Sequence, residues 1–579
     1  MHNFPPSQIR NVSFFSGTVF EKRISYIRKN RDICNLIRFG DLKPESVNKL
    51  LEKSFRNNWK RPALSNYKGE TLLYSDLARA IAKIHLAYAH YGILPGDKIV
   101  ICSRNQTHWA VCFLAAMTYG AVPVPLLHEF KPGNIHYLVN HSDAKILFVE
   151  HTIWDGLNAE DMPGLTAVIQ IEDYQVLHLK EGATEQARPA LEKYFRKTYP
   201  GGLRPGDLNY YEDNPEELAI LSYTSGTSGF SKGVMIPYRA VWSNVYFMHD
   251  ALPMIDNSSN VVVILPSAHT YGMMFEFFFE MVMGCHIHFL TKAPTPKVLA
   301  EAFSDIRPNV VYAVPLIVEK VYKSLVRTGL SGEDLCDALK NFFGGDFEEV
   351  IIGGAALNPE VERALRKIKF PFTIGYGMTE CAPIISYSRW FESRMYSCGT
   401  TVPNMEIRID SQAPHLIPGE VQVKGMNVFL GYYKNADATA EVFTKDGWLR
   451  TGDVGILDNE GYLYLRGRTK CMILGANGQN IYPEEIEAAL NNVPYVVHSL
   501  VIDDNGKLVG LVYPDYKQAN LDGIPVKKLG EQLEARLQEV NHLFPKFSHI
   551  AHLELMPEDF ELTPKGSIKR YLYQRNRSS

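Results

Sequence analysis

Strands and helices alternate over residues 71–150, and this alternation constrains the fold more than any other feature of the sequence. The helical pattern "YSDLARAIAKIHLAYAHYG" is followed by the apolar strand "DKIVICS", the helix "HWAVCFLAAMTYG" and the strand "AVPVPL". The same order of elements returns in "VVVILP", "PNVVYAVP" and "EVIIGG". Short apolar runs separated by helices are typical of βαβ units, whose strands are parallel. The sequence therefore predicts an α/β fold built on parallel sheets.

The sequence pattern changes near residue 400, and the chain of 579 residues is too long for one core. "GEVQVKG" and "WLRTGDVGILDNEGYLYLRGR" predict an antiparallel β unit. Later segments predict a small α+β domain: the helices "NIYPEEIEAALNNV" and "VKKLGEQLEARLQEVN" and, between them, the hairpin "HSLVIDDNGKLVGLVYPD". We expect an N-terminal domain over 1–467, β-rich at about 395–467, and a C-terminal domain over 468–579. The polar residues 151–216 are expected to be an irregular connection.

Composition excludes several classes of protein. The net charge of −4 gives no broad attraction to nucleic acid. Cysteines are scattered with no CxxC pair, which favours a reduced, cytoplasmic protein over a disulfide scaffold. The N-terminus does not resemble a secretory signal. The most apolar run, "MMFEFFFEMVMG", is short and contains Glu276 and Glu280, so no transmembrane segment is expected. Peripheral contact with a membrane stays open.

A Gly-rich loop, "YTSGTSGFSKGV" at 223–234, lies between the apolar run "EELAILS" and the expected helix "YRAVWSNVYFMHDAL". A loop between a strand and a helix is a common phosphate site, because its N–H groups point inward and Gly lets them come close. The Walker pattern does not fit, since Lys232 follows Ser231 and precedes Gly233. The loop indicates a phosphate site of another kind, with a flexible linker as the alternative.

Two further stretches carry carboxylates suited to a nucleotide and its metal. In "GYGMTECAP" at 375–383, Glu380 is suited to Mg²⁺ and Tyr376 offers a ring face to a base. In "GWLRTGDVG" at 447–455, Asp453 is expected in a turn, where it can accept hydrogen bonds from a ribose diol. Arg468 and Lys470 follow at the predicted domain junction, a natural hinge. Each feature alone also fits an ordinary turn residue, but their order favours a nucleotide site.

In this order the motifs resemble the adenylate-forming superfamily of acyl-CoA synthetases, luciferases and peptide-synthetase adenylation domains. The resemblance runs from about residue 60 to the C-terminus. The stretches "AVPLIVEKVYK" at 313–323 and "GGAAL" at 353–357 are most similar to long-chain fatty acid–CoA ligases. The resemblance implies a large N-terminal domain of α/β/α sheets with a small β-barrel subdomain, and a small mobile C-terminal α+β domain. It also implies that a medium- to long-chain acid is activated with ATP and Mg²⁺ as acyl-AMP, with release of pyrophosphate, and then transferred to CoA.

By position, the resemblance also assigns roles to residues. The loop around the β- and γ-phosphates would comprise Thr224, Ser225, Gly226, Thr227, Ser228, Gly229 and Lys232, and Thr224 and Glu380 would hold Mg²⁺. The rest of the nucleotide pocket would comprise Gly353, Gly354, Ala355, Ala356, Leu357, Gly375, Tyr376, Gly377, Met378 and Thr379. Asp453 and Arg468 would bind the ribose, Lys470 would be the hinge, and His269 and Gly478 would border the acyl and pantetheine sites. At Ser228 and Ser231 the family usually has Thr and Pro. Both departures keep the character of the loop, and Ser in place of Thr retains the hydroxyl.

The lysine that the family uses for adenylation is missing from its usual position. In "TPKGSIKR" at 563–570, Ser567 stands where the family pattern has that lysine. Lys565 and Lys569 lie two residues to either side, and side chains two apart in an extended segment share one face. We therefore expect Lys569, or else Lys565, to supply the catalytic charge. The alternatives are a depleted site and two ordinary surface lysines.

The sequence leaves three points open: the acyl acceptor, the ligase activity and the role of the apolar helix. The acceptor could be a carrier protein instead of CoA, which would make the chain an acyl-AMP ligase. The chain could instead be a nucleotide-binding homologue with weak adenylation, because Ser567 replaces the usual lysine. Helical spacing places Met274, Phe278 and Met281 on one face, which suits an alkyl tunnel or, alternatively, a core helix.

Overall fold

The computed structural model describes residues 44–180, 187–224, 232–474, 479–562 and 568–575. Its strands are β1 (Pro62–Asn66), β2 (Thr71–Leu73), β3 (Lys98–Cys102), β4 (Val122–Leu126), β5 (Ala144–Val149), β6 (Ala167–Gln170), β7 (Val176–Leu179), β8 (Leu218–Thr224), β9 (Lys232–Pro237), β10 (Asn260–Val263), β11 (His286–Phe289), β12 (Val311–Ala313), β13 (Val350–Ile352), β14 (Phe372–Ile374), β15 (Tyr376–Gly377), β16 (Ile384–Tyr387), β17 (Thr400–Thr401), β18 (Met405–Asp410), β19 (Gly419–Gly425), β20 (Leu449–Leu457), β21 (Leu463–Arg468), β22 (Ile473–Leu474), β23 (Asn480–Ile481), β24 (Val496–Asp504), β25 (Lys507–Pro514) and β26 (Ile550–Leu555).

The α-helices of the described residues are α1 (Val47–Asn57), α2 (Tyr74–His90), α3 (Thr107–Tyr119), α4 (Pro132–His141), α5 (His151–Trp154), α6 (Ala187–Thr198), α7 (Tyr238–Ala251), α8 (Phe279–Met283), α9 (Pro296–Ile306), α10 (Pro315–Arg327), α11 (Gly332–Phe342), α12 (Pro359–Lys367), α13 (Ala436–Val442), α14 (Pro483–Leu490), α15 (Tyr516–Leu521) and α16 (Val526–Asn541). In the part of the chain that the structure describes, no helix is both long and apolar enough to cross a membrane.

The parallel sheets predicted from the alternating pattern are present. One sheet has the order β4-β3-β5-β6-β7, with β3 to β6 parallel and β7 antiparallel at the edge. A second, β12-β13-β14, is entirely parallel. The expectation for residues 151–216 was wrong in part, because β6 and β7 of this region extend the first sheet. Both strands are short and lie within a mainly polar region, but β6 pairs with the edge of β5 and β7 pairs with β6.

The antiparallel units also follow the sequence pattern. Strands β18, β19, β20 and β21 form a four-stranded antiparallel sheet in that order. Near the C-terminus, β24 and β25 form the predicted hairpin, and β26 adds in parallel beside β25. Helix α16 has the bounds of its amphipathic pattern and buries Leu529, Leu533, Leu537 and Val540. These strands and helices make up the small C-terminal α+β domain, although the domain boundary at 467/468 stays a prediction.

The Gly-rich loop connects two strands and does not lead into a helix. Strands β8 and β9 pair antiparallel, with Thr224 opposite Lys232, so the loop closes a hairpin. The expected helix is present as α7, but it begins six residues after Lys232, at Tyr238. The expected strand–loop–helix order was therefore wrong, because "KGVMIP" at 232–237 forms a strand that pairs with β8 before the helix begins. The N-terminus of α7 is consequently not part of this loop.

The apolar segment is buried at every residue of 272–281. Residues Gly272–Phe278 form a π-helix that continues into α8. Met274, Phe278 and Met281 are fully buried, and so are the two glutamates between them. Glu276 accepts hydrogen bonds from the backbone N–H groups of Ile264 and Leu265. This burial fits a core helix, and a tunnel along one face stays a proposal.

Candidate nucleotide site

Two of the candidate segments begin at the carboxyl ends of neighbouring parallel strands. Strands β13 and β14 are neighbours, with Ile352 opposite Ile374, so the segments that begin at Gly353 and Gly375 leave the same edge of the sheet. Gly375 donates its N–H to Ile352, and Gly353 donates to Ala313. Ligands of open α/β sheets bind at this edge, outside the carboxyl ends of the strands.

The segment after β14 requires Gly at one position. A Cβ on Gly377 would lie 2.1 Å from the carbonyl oxygen of Pro383, so no other residue fits without moving the backbone. Met378 donates its N–H to the same oxygen, which closes the turn. Thr379 is buried and starts a short 3₁₀ turn that also holds Glu380. The turn fixes where Glu380 points.

Glu380 and Lys232 both contact the side chain of Tyr432. The Tyr432 hydroxyl donates to Glu380 Oε1 over 2.8 Å, and Lys232 Nζ lies 4.6 Å from the centroid of the same ring. Tyr432 is buried, and burial together with the Glu380 charge raises the pKa of its hydroxyl, so it remains a donor. Thr224 lies opposite Lys232 in the β8–β9 hairpin. One cation, one carboxylate and one hydroxyl residue thus gather at the end of that hairpin where the Gly-rich loop begins.

Asp453 is the centre of a second cluster. Its Oδ2 accepts from the Tyr376 hydroxyl over 2.6 Å, and its Oδ1 lies 3.1 Å from Arg468 Nε. Burial raises the pKa of Asp453, while the Arg468 guanidinium opposes that shift. The expected turn at Asp453 was wrong, because the residue lies within β20, directly opposite Arg468 of β21. Two antiparallel strands therefore hold the pair.

Tyr376 and Glu380 connect the two clusters. They are four positions apart along one segment, so their Cα atoms are at most about 14 Å apart. At one end of the segment, Asp453 and Arg468 offer a carboxylate and a guanidinium that suit a sugar diol. At the other end, Glu380 and Lys232 offer charges that suit a metal–phosphate group. However, Tyr376 is buried and its hydroxyl bonds Asp453, so only part of its ring can face a base.

His269 is linked through Tyr271 to the predicted nucleotide-pocket loop at 353–357. The Tyr271 hydroxyl donates to the carbonyl of Ile351 over 2.8 Å, and its ring would lie 3.2 Å from a Cβ added to Gly353. His269 is half-buried, and its Nδ1 accepts from the Tyr271 N–H. In the loop itself, Gly354, Ala355 and Ala356 are exposed, whereas Leu357 is buried. The exposed residues are the ones that a ligand can reach.

The predicted hinge lies at the junction with the C-terminal helix α14. Lys470 is exposed and lies in a 3₁₀ turn, Thr469–Cys471. Just before it, the backbone N–H of Arg468 donates to Glu484 of α14 over 2.9 Å. Exposure and a short turn are compatible with rotation at Lys470, but its role as a hinge stays a prediction.

Lys569 is held within the C-terminal domain. Its Nζ lies 3.0 Å from Glu561 Oε2, and its backbone N–H donates to the Glu561 carbonyl. The next residue, Arg570, pairs with the buried Glu487. Glu561 raises the pKa of the Lys569 amine. Lys569 would have to leave Glu561 to reach a substrate.

Some predicted residues cannot be placed. Those that lie outside the described residues are Ser225, Gly226, Thr227, Ser228, Gly229, Gly478 and Lys565, together with Ser567.

Glu380 fits a magnesium ion that arrives with nucleotide phosphates. Among the described residues, no group of three or more His, Cys, Asp or Glu side chains is arranged to hold a metal. Mg²⁺ does not need such a cage, since one or two carboxylates, waters and substrate phosphates usually complete its shell. Glu380 uses Oε1 for Tyr432, and within the described ranges its other oxygen has no hydrogen-bond partner. Thr224 is the second candidate ligand.

Sequence reasoning missed Tyr432 and Tyr271. Tyr432 follows Glu380 by 52 residues, and the intervening chain contains no motif that points to it. It lies in "FLGYYKN", where the aromatic pair was the only available signal. Tyr271 lies in "LPSAHTYG", two residues after the candidate His269. Its hydrogen-bond partner, Ile351, is 80 residues away in the sequence. Both residues act through contacts that only the folded chain creates.

Comparison with known sequences gives two family matches. The family described as AMP-binding enzyme matches residues 51–433, and the family described as AMP-binding enzyme C-terminal domain matches residues 471–576. The long-chain-fatty-acid–CoA ligase FadD15 of Mycobacterium bovis is 25% identical over 560 residues, covering 86% of this chain and 89% of that protein. The 4-coumarate–CoA ligase 1 of Arabidopsis thaliana is 26% identical, covering 88% of this chain and 89% of its own.

A solved structure shares the fold. ATP-bound MatB from Rhodopseudomonas palustris superposes with a TM-score of 0.73 at 22% identity, over 91% of this chain and 98% of that one. The superposed residues include both the large and the small domain, so this chain has the same overall fold as MatB. At this identity the likeness concerns the fold alone.

Proposed function

Because this chain belongs to the AMP-binding enzyme family, and so to the adenylate-forming acid–CoA ligases, we propose that it activates a medium- to long-chain fatty acid with ATP and transfers the acyl group to CoA. The proposal is carried by the contacts at the two ends of the segment Tyr376–Glu380. At one end, Tyr376 bonds Asp453, which pairs with Arg468. At the other end, Glu380 bonds Tyr432, whose ring lies beside Lys232. One nucleotide lying along this segment would have its ribose at Asp453 and its phosphates near Glu380. FadD15 and other long-chain ligases among the relatives support the choice of acid.

Two steps share the site. A carboxylate oxygen of the acid attacks the α-phosphorus of ATP, the bond from that phosphorus to the β-phosphate bridge breaks, and pyrophosphate leaves. The CoA sulfur, having lost its proton to solvent, then attacks the acyl carbon, and AMP leaves. These steps need alignment and charge neutralisation, because the protein forms no covalent bond of its own. Lys232, Arg468 and a lysine of the C-terminal segment would supply cations, and bound Mg²⁺ would neutralise phosphate charge at Glu380.

The first test compares carboxylic acids of different alkyl chain length. Each methylene buried on binding contributes roughly 0.8 kcal/mol, so a palmitoyl chain should bind far more strongly than acetate. We expect pyrophosphate release with palmitate to exceed that with acetate by about a hundredfold or more in kcat/KM. The measurement is a panel of acids from acetate to palmitate, together with 4-coumarate, each with and without CoA. Equal kcat/KM for acetate and palmitate would exclude a long-chain specificity, and a preference for 4-coumarate would indicate an aryl acid instead.

The hinge is tested by Lys470→Pro. In the proposed mechanism the C-terminal domain takes one orientation for adenylation and another for thioester formation. Proline fixes φ and removes an N–H, so it should hinder the rotation between the two orientations. We expect thioester formation from preformed acyl-AMP to fall by about tenfold or more, with pyrophosphate release changed far less. Lys470→Ala, which keeps the backbone free, is the control and should retain both half-reactions. A parallel loss of both steps in the proline variant would argue for a pivot elsewhere.

A second candidate function is nucleotide binding with little ligase activity. The observation that favours it is Ser567 at the position of the usual lysine, together with the pairing of Lys569 with Glu561. The same acid panel separates the two functions: nucleotide binding without pyrophosphate release from any acid would identify the non-catalytic protein. Pyrophosphate release without a CoA thioester would instead indicate transfer to a carrier protein.

A further inference from the structure

Residues 568–575, here called the terminal segment, are fixed to the rest of the C-terminal domain by a buried ion pair. The Arg570 guanidinium pairs with the Glu487 carboxylate of α14. Glu487 is buried, and only 21% of the Arg570 side chain is exposed. The other carboxylate oxygen of Glu487, Oε1, accepts the N–H of Val501 in β24 over 2.6 Å. Glu487 therefore joins a helix, a strand and the terminal segment.

This ion pair fixes the register of the terminal segment against α14. Burial raises the pKa of Glu487 to about 7, and the Arg570 guanidinium opposes that shift, so the carboxylate depends on its partner to stay ionised. Apolar residues of similar size often stabilise a fold as well as a buried ion pair does. They can pack at several offsets along a chain, however, whereas a buried carboxylate leaves one place for the guanidinium.

Lys569 lies between two residues that are both fixed to the domain. Arg570 donates its N–H to the carbonyl of Ile568 over 2.9 Å, and Lys569 has φ −75° and ψ 75°, which is an inverse γ-turn with Lys569 at its corner. Ile568 packs against the apolar cluster on β24 and β25. The Lys569 side chain, in contrast, ends in a partly exposed pair with Glu561. Lys569 thus combines a fixed backbone with an amine that can move.

Helix α14 also contacts the chain at the predicted hinge. Glu484 lies three residues before Glu487, on the same face of the helix, and accepts the N–H of Arg468 over 2.9 Å. Arg468 is two residues before Lys470. One turn of α14 therefore lies between the hinge and the terminal segment, and a rotation at Lys470 would carry Lys569 along with this helix.

We propose that the Glu487–Arg570 ion pair is a positioning device for adenylation, which sets the place from which Lys569 reaches the substrate carboxylate and the α-phosphate. Glu487 and Arg570 are positioning residues, because they act through Lys569 and not on the substrate. This role rests on the proposed function, since it requires that the chain adenylates an acid. The position matters because a displacement of about 1 Å from the productive geometry can lower a rate about a hundredfold.

The test is Glu487→Gln, with the two half-reactions measured separately. The amide keeps the shape of the side chain and can still accept the Val501 N–H, but it leaves Arg570 without a countercharge. With the acid that reacts fastest, we expect pyrophosphate release to fall about tenfold or more. Thioester formation from preformed acyl-AMP should stay unchanged, because that step does not use Lys569. The retained step also shows that the variant folds.

Glu554→Gln is the matched control. It makes the same chemical change in the other ion pair of the terminal segment, that of Glu554 with Arg575, in which both side chains are partly exposed. Exposed pairs contribute little to stability, so both half-reactions should stay unchanged.

A double-mutant cycle shows whether the ion pair acts through Lys569. In the Lys569→Ala background, Glu487→Gln should cause no further loss of pyrophosphate release, because the side chain that the pair positions is gone. Hydrogen exchange supplies a readout besides activity: the amides of 568–575 should exchange about tenfold faster in Glu487→Gln than in the unmodified chain.

Four results would each overturn this role. They are normal adenylation by Glu487→Gln or by Lys569→Ala, a parallel loss of both half-reactions in Glu487→Gln, an undiminished further loss in the Lys569→Ala background, and unchanged hydrogen exchange at 568–575. An unmodified chain that releases no pyrophosphate with any acid would instead overturn the proposed function itself.

Discussion

Glu380→Gln should lower the rate of pyrophosphate release by about a hundredfold or more, a loss of the size seen when one group that stabilises transition-state charge is removed. The amide has nearly the same shape and can still accept from the Tyr432 hydroxyl, so the turn at 379–381 should keep its structure. It has no negative charge, however, and is a poor ligand for Mg²⁺, which prefers carboxylates and phosphates. The measurement is pyrophosphate release at saturating ATP and acid, repeated over a range of Mg²⁺ concentrations.

A matched control is Glu441→Gln, the same chemical change at an exposed position of α13. It should leave the rate unchanged, and both variants should keep the thermal stability of the unmodified chain. If Glu380→Gln released pyrophosphate at the normal rate, Glu380 would be an ordinary turn residue and the metal would have to be held elsewhere.

Removing both neighbouring lysines is expected to have the second large effect. The double variant Lys565→Ala, Lys569→Ala should lose most adenylation, about a hundredfold, because neither lysine of the C-terminal segment would remain to neutralise charge on the substrate carboxylate and the α-phosphate. The ion pair of Lys569 with Glu561 does not contradict this role. Both side chains are partly exposed, and exposed pairs contribute only about 0–1 kcal/mol, so the amine can leave Glu561 at little cost.

Two further variants make this prediction sharper. Glu561→Gln releases Lys569 from its partner and should adenylate at least as fast as the unmodified chain. Ser567→Lys restores the family pattern, and in the double-alanine background it should recover much of the lost rate. Thioester formation from preformed acyl-AMP should change little in the double variant, since that step uses the other domain orientation. A double variant that adenylates normally would show that neither lysine carries the charge.

The sequence alone determined the local elements and the identity of most candidate residues. Alternating apolar runs predicted the parallel strands β3, β4, β12 and β13, because a strand buried on both faces needs a continuous apolar run. The 3.6-residue period located α16 to the residue, since its buried leucines recur at helical spacing. Motifs such as "GYGMTECAP" are local as well, and Gly377 is required by a contact only six residues away. Information of this kind is contained in neighbouring residues.

Only the tertiary structure decided which of these segments meet. The Tyr376–Asp453 hydrogen bond joins residues 77 apart, and the Tyr432–Glu380 bond joins residues 52 apart. The same limit explains why the strand β9 after the Gly-rich loop was missed, because only the folded chain shows that it pairs with β8. Periodicity reports which face of an element is buried, but it does not report what lies opposite that face. The partner depends on strand order and on the bends between sheets, and these are set by the packing of the whole domain rather than by any short stretch of the chain.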